Sequence, residues 1–92
     1  MSIRIEWDER KAVSNVEKHG VSFDEARTVF EDPLFVEFYD PDHSLEDQRY
    51  LMVGQSVRGR LLIVSYADRG DILRLISARE VTRREREVYE EG

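Results

Sequence analysis

The chain has 92 residues, 40% hydrophobic and 37% charged, which suits a single domain spanning residues 1–92 with one core. It contains no cysteine, so disulfides, thiolate metal sites and a cysteine nucleophile are excluded. A net charge of −6 argues against nucleic acid meeting the surface as a whole, and the longest apolar run, Leu61-Leu62-Ile63-Val64, is far too short to span a bilayer.

The opening residues, Met1 to Asp8, carry no signal-peptide apolar region, and the chain reads as soluble and cytoplasmic, without a membrane partner. From Ser2 to Trp7, Ile3, Ile5 and Trp7 alternate with Arg4 and Glu6, the period of a strand with one buried face. Asp8 is placed as an N-cap for a helix ending at His19, with Ala12, Val13 and Val16 as its apolar positions. Lys18 and His19 suit the negative end of that helix, and Gly20 stops it. Ser22 and Glu25 have the spacing of a capping box, with Val21 and Ala26 as a hydrophobic staple. Phe23, Ala26, Val29 and Phe30 form the buried stripe of this second helix, which Pro33 ends.

The rest is mostly sheet. Leu34 to Tyr39 is a β-rich run, and Asp40-Pro41-Asp42-His43-Ser44 is a turn by composition. Arg49 to Gln55, Arg60 to Ala67 and Asp71 to Arg79 predict three strands, joined through Arg58-Gly59 and Arg69-Gly70 as an antiparallel meander. Thr82 and Glu85 cap a last helix running to about Tyr89. The order predicts an α+β fold: an antiparallel sheet, two N-terminal helices and one C-terminal helix.

The charge is unevenly spread. Residues 1–47 hold five Lys or Arg against thirteen Asp or Glu, whereas residues 48–84 hold eight arginines against three acids. Every basic residue after Lys18 is an arginine, whose planar fork of donors matches phosphate. An ordinary solvated sheet face has the same composition. Arg74, within Ile72-Leu73-Arg74-Leu75-Ile76, must face solvent, a carboxylate such as Glu37, or a ligand, because an unpaired buried charge is costly. Arg83 and Arg84 stand in the first turn of the last helix, against its dipole; together with free N–H groups they form an anion site, unless Glu85 neutralises them.

Other chemistry finds little support. His19 and His43 are far apart, and Asp40, Asp42, Glu46 and Asp47 read as a solvated acidic turn rather than a divalent-cation site. No metal and no cofactor is expected. Nothing resembles a nucleophile elbow or a glycine-rich phosphate loop. Tyr50, Tyr66 and Tyr89 have the chemistry to stack on bases or pass protons, though tyrosines in so small a domain usually serve the core.

Several stretches resemble the BrnT family of type II toxins, relatives of the RelE ribonucleases. They are Ile5-Glu6-Trp7-Asp8-Glu9, Lys18 to Ala26, Val29-Phe30-Glu31-Asp32-Pro33, Asp40 to Ser44, Gly59 to Val64, Arg74 to Arg79, Thr82 to Arg86 and Tyr89-Glu90. The resemblance implies a RelE-like fold and toxicity through RNA cleavage. It also implies a cognate BrnA-like antitoxin with a ribbon-helix-helix DNA-binding domain, a 2:2 complex, and contact with DNA only through the antitoxin. The implied reaction is metal-independent attack of a ribose 2′-OH on the adjacent phosphate.

Such a reaction needs phosphate charge stabilised and two protons moved. The phosphate clamp is assigned to Arg49, Arg58, Arg74 and Arg79, and further RNA contacts to Arg60, Arg83 and Arg84. His19 and Tyr66 are the candidates for proton transfer or base stacking, with a helix-capping role open for His19. The alternative reading is a RelE-like module without catalysis, partner and co-repressor of a DNA-binding antitoxin.

Overall fold

The computed structural model describes residues 4–43 and 47–92, apart from the side chain of His43. Ser2 and Ile3 of the first expected strand, and Ser44 and Glu46 of the expected acidic turn, lie outside the described residues.

The elements are β1 (Arg4–Trp7), α1 (Glu9–His19), α2 (Phe23–Thr28), a 3-10 turn (Val29–Glu31) and β2 (Val36–Tyr39). A second 3-10 turn (Pro41–His43), β3 (Gln48–Gln55), β4 (Leu61–Asp68), β5 (Ile72–Glu80) and α3 (Arg83–Glu91) follow. The five strands form one sheet in the order β1-β5-β4-β3-β2. The meander from β2 to β5 is antiparallel, but β1 runs parallel to β5, so the sheet is mixed and not purely antiparallel as expected. Alternation in β1 shows which of its faces is buried; it carries no information about which strand pairs with it.

Local signals act largely as the sequence suggests. The Asp8 side chain accepts the Arg10 N–H, and Gly20 ends α1 at φ 68°, a left-handed cap that costs glycine little. The Ser22 hydroxyl accepts the Glu25 N–H, but Glu25 does not reciprocate: its carboxylate reaches Arg60 and Ser56 instead. The box at Thr82 and Glu85 is complete. β2 starts at Val36 rather than Leu34, because Asp32 folds the chain after Pro33 into a turn, accepting the Leu34 N–H at 2.9 Å.

The core has two parts. Val21, Phe23, Ala26 and Val29 pack on Met52, Leu62, Val64, Tyr66, Leu73, Leu75 and Ala78, on the sheet side that carries α1 and α2. On the other side Val53, Leu61 and Ile63 pack with Leu51, Val81 and Tyr89, beneath α3. The Tyr89 hydroxyl donates to Asp32 at 2.6 Å and ties α3 to the loop before β2. Asp32 also accepts the Gln55 N–H at 2.7 Å. At Gly54 the 3-10 turn comes so close that a Cβ would stand 2.8 Å from Val29, so only glycine fits without a shift.

One irregularity sets the faces of β5. Ser65 pairs with Ser77, but Tyr66 pairs with Leu75, leaving Ile76 as an extra residue in β5. Leu73 and Leu75 before the bulge and Ala78 after it therefore all face the helices. Just past the bulge, beyond the end of β1, the buried Asn15 of α1 supplies backbone partners. Its amide accepts the Ala78 N–H at 3.0 Å and donates to the carbonyls of Ala78 and Val21, both at 2.8 Å. Asn15→Ala leaves these buried groups unpaired. Urea unfolding is expected to show a loss of about 3 kcal/mol.

Candidate nucleic-acid interface

The bulge decides where the arginines point. Arg74 and Arg79 are five positions apart, so a regular strand would aim them to opposite faces. With one residue inserted, Arg74 pairs with Ala67 and Arg79 with Ile63, both on the α3 side of the sheet. Arg49 pairs with the same Ala67 from β3. Arg74 and Arg49 thus flank a small residue in one row, their backbones two strands, or roughly 10 Å, apart.

α3 covers only part of this face. Next to it a cleft of about 420 Å³ is lined by Arg49, Ser65, Ile76, Ser77, Arg79, Glu85 and Asp40. Three of the four expected clamp arginines, Arg49, Arg74 and Arg79, therefore share one sheet face, and two of these line the cleft. Two arginines and two serine hydroxyls around a half-open hollow offer donors to an anionic ligand of phosphate type.

The face also has its own carboxylates. Glu85 grips Arg79 in a fork, Nη1 to Oε1 at 2.8 Å and Nη2 to Oε2 at 2.9 Å. The Arg79 guanidinium, helped by the N–H and hydroxyl of Thr82 and opposed by burial, brings the Glu85 carboxyl down to about 2. Arg74 meets Glu6 of β1 at 3.1 Å, so its partner is Glu6 and not Glu37. Glu85 serves Arg79 and the Thr82 cap; Arg83 and Arg84 stay exposed on α3, and among the described residues no ion pair engages them.

The other expected site residues lie elsewhere. Arg60 donates through Nε to Glu25 at 2.9 Å and through Nη2 to the Gly20 carbonyl at 3.1 Å, fastening the β3–β4 hairpin to α2. The Glu25 side chain is only 4% exposed. The Arg60 hydrogen bond, with Ser56 and against the cost of burial, holds its carboxyl below the usual range. Arg58 approaches the same carboxylate at 3.8 Å from the hairpin turn. His19 is exposed at the end of α1 and does not line the arginine cleft. Tyr66 is buried on the opposite side of the sheet, stacked on Tyr50 and edge-on to Phe30. The sequence reading missed Ser65, Ser77 and Glu85 as neighbours of the clamp. Facing serines on adjacent strands have no signature without the register. Among the described residues, no group of His, Asp and Glu is gathered so as to hold a metal ion, and no helix is long and apolar enough to cross a membrane.

A family model described as the ribonuclease toxin BrnT of type II toxin–antitoxin systems matches residues 7–85. The chain belongs to the BrnT family. The match takes in β2 to β5, the end of β1 at Trp7, the arginines of the interface just described and the first turn of α3. The fold resembles that of the Brucella abortus ribonuclease toxin BrnT, with a TM-score of 0.64 and 24% identity, over 89% of this chain and 100% of that one. No curated protein matches the sequence. As a BrnT-family member the chain is a type II toxin from a family of ribonucleases, and that class implies an antitoxin partner.

Two measurements separate the arginines of the fold from those of the face. Arg60→Ala strands a buried carboxylate and is expected to cost about 3 kcal/mol in urea unfolding, whereas Arg83→Ala changes stability by less than about 0.5 kcal/mol. Glu85 titrates at about 2 when folded against an ordinary 4.5, so its stabilisation is complete above about 4.5 and fades as pH falls toward 2. Glu85→Gln should therefore unfold at lower urea at pH 7, with the gap to the parent closing by pH 2.

Proposed function

We propose that this chain is an endoribonuclease toxin that binds the RNA backbone on the α3 side of its sheet, with Arg49, Arg74 and Arg79 around the scissile phosphate. The observation that carries the reading is the convergence of these arginines on one face, beside Ser65 and Ser77. Family membership supports ribonuclease chemistry. The fold class in this reading is RelE-like.

The reaction is transesterification without a metal. The ribose 2′ oxygen forms a bond to the adjacent phosphorus, and the bond to the 5′ oxygen breaks. The products are a 2′,3′-cyclic phosphate and a 5′-hydroxyl; one proton leaves the 2′-OH and one reaches the departing oxygen. Negative charge grows on the non-bridging oxygens, where fixed guanidinium donors are most effective. Glu85 stays ionised at neutral pH and is no proton donor. It orients Arg79, and RNA phosphate competes with it for the same fork. Proton transfer falls to water held by the serine hydroxyls and the Asp40 carboxylate, all of which line the cleft. Arg83 and Arg84 extend the basic surface along α3. Arg60, Arg58, His19 and Tyr66 take no part.

The antitoxin in this reading is of the BrnA, ribbon-helix-helix type. It forms a 2:2 complex in the cytoplasm, with DNA contacted by the antitoxin alone. A second reading, a partner module without catalysis, is favoured by one observation: the Arg79 fork is already filled by Glu85.

Induced expression in a bacterial host, with mapping of RNA 5′ ends, separates the two. New ends should appear with growth arrest. The Arg49→Ala, Arg74→Ala pair should cut at least about 100-fold more slowly while melting within a few degrees of the parent. Intact RNA and normal growth from folded parent protein, still able to bind the antitoxin, would establish the second reading.

A further inference from the structure

The opposite side of the sheet carries a second, larger cleft, of about 710 Å³. α2 is only six residues long, and the 3-10 turn after it packs at Gly54 of β3, so part of that sheet side stays uncovered. The cleft runs over Ile5, Leu73, Tyr66 and Met52, from β1, β5, β4 and β3 in turn, with Phe30 and Phe35 as its walls. Phe35 is 43% exposed and its sequence neighbour Leu34 is 69% exposed, just before β2, an edge strand of the sheet. Contiguous exposed apolar surface of this kind marks a site of association.

The charges around this apolar floor select the occupant. Glu31, Glu37 and Asp68 line the cleft against a single cation, Arg27. Among the described residues Glu37 has no ion pair, and the Asp68 carboxylate accepts only the Gly70 N–H. Burial, and then the nearby charge of Asp68, push the Glu37 carboxyl above its ordinary value. A cation entering the cleft would relieve that cost. A lysine or arginine combines an apolar stem for the floor with a charged head for the carboxylates. RNA, an anion, is repelled here and attracted on the other side.

We propose that this cleft docks a basic, apolar segment of the antitoxin, with a Lys or Arg of that segment reaching Glu37 and Asp68 over Met52 and Leu73. The proposal rests on the toxin–antitoxin pairing of the family, and it is independent of whether this chain cuts RNA. Docking here does not compete with RNA for Arg49, Arg74 and Arg79.

The test uses the full chain and the product of the gene adjacent to its own, purified separately and titrated by calorimetry. The Glu37→Lys, Asp68→Lys pair should weaken binding by about 50-fold or more. Arg49→Ala, Arg74→Ala should leave the affinity within about 2-fold. Because charge reversal can disturb folding, Glu37→Gln, Asp68→Asn serves as the milder variant; it should melt no lower than the parent and still lose about 10-fold in affinity. Folded cleft variants that bind like the parent would overturn the proposal. So would a loss of binding confined to the arginine-face pair, or sedimentation showing that the cleft variants lose only self-association, which would make a second copy of the chain the occupant. RNA cleavage by the free cleft variants should equal that of the parent. A parent that cuts no RNA but binds through the cleft would refute the ribonuclease reading and leave this one standing.

Discussion

The contact on which the arrangement depends is the amide of Asn15 against the backbone of Ala78. β1 stops opposite Leu75, and beyond it the edge of β5 would be left open. Asn15 meets both the N–H and the carbonyl of Ala78 and so replaces one step of the missing strand, while its other bond holds the α1–α2 connection at Val21. The bulge at Ile76 lies between Leu75 and this anchor, so the register on both sides of it is held, by β1 before and by Asn15 after. Without the extra residue, either Ala78 would turn away from the helices or Leu73 and Leu75 would, and Arg74 and Arg79 would part to opposite faces. A polar bond in the core thereby controls the geometry of a charged surface on the other side of the sheet.

The sheet also separates charge. Its α3 side gathers Arg49, Arg74 and Arg79, and its helix side opens into a cleft edged by Glu31, Glu37 and Asp68. A chain with a net charge of −6 can therefore still offer phosphate a basic surface. Two oppositely charged ligands can use one small domain without sharing a surface. Two of the carboxylates near the arginines are one-to-one partners: Glu6 for Arg74, Glu85 for Arg79. Such pairs hold a guanidinium in place and can exchange a carboxylate for a phosphate, as a buried pair such as Arg60–Glu25 cannot.

Much of the fold was legible because it is written in local signals. Asp8, Gly20, Ser22 and the Thr82–Glu85 box mark helix ends through backbone groups that need a partner nearby in sequence, whereas α2 stops at Thr28, short of Pro33, and gives way to a 3-10 turn. The glycines after Arg58 and Arg69 mark the hairpins in the same way. Family likeness was legible from the same stretches. The site was legible only as a class of residue. Arginine chemistry pointed to phosphate, but a list of arginines does not say which of them hold the fold. Arg60 and Arg79 look alike in sequence, each at the end of a strand. One ties the β3–β4 hairpin to α2 through a buried carboxylate, and the other faces an open cleft.

The sequence by itself determined the elements, their order and the arginine-rich half, because caps, turns and alternation act over a few neighbouring residues. Tertiary structure alone decided that β1 runs parallel to β5, that Glu25 leaves its own helix cap for Arg60, and that Tyr66 lies on the opposite side of the sheet from Arg49, Arg74 and Arg79. Above all it decided the phase of β5. A bulge is one residue without a side-chain signature. It persists because Leu73, Leu75 and Ala78 are buried together and Asn15, 63 positions from Ala78 in the chain, holds the backbone just beyond. Contacts between residues so distant exist only when the chain has folded, and they set which face each arginine serves.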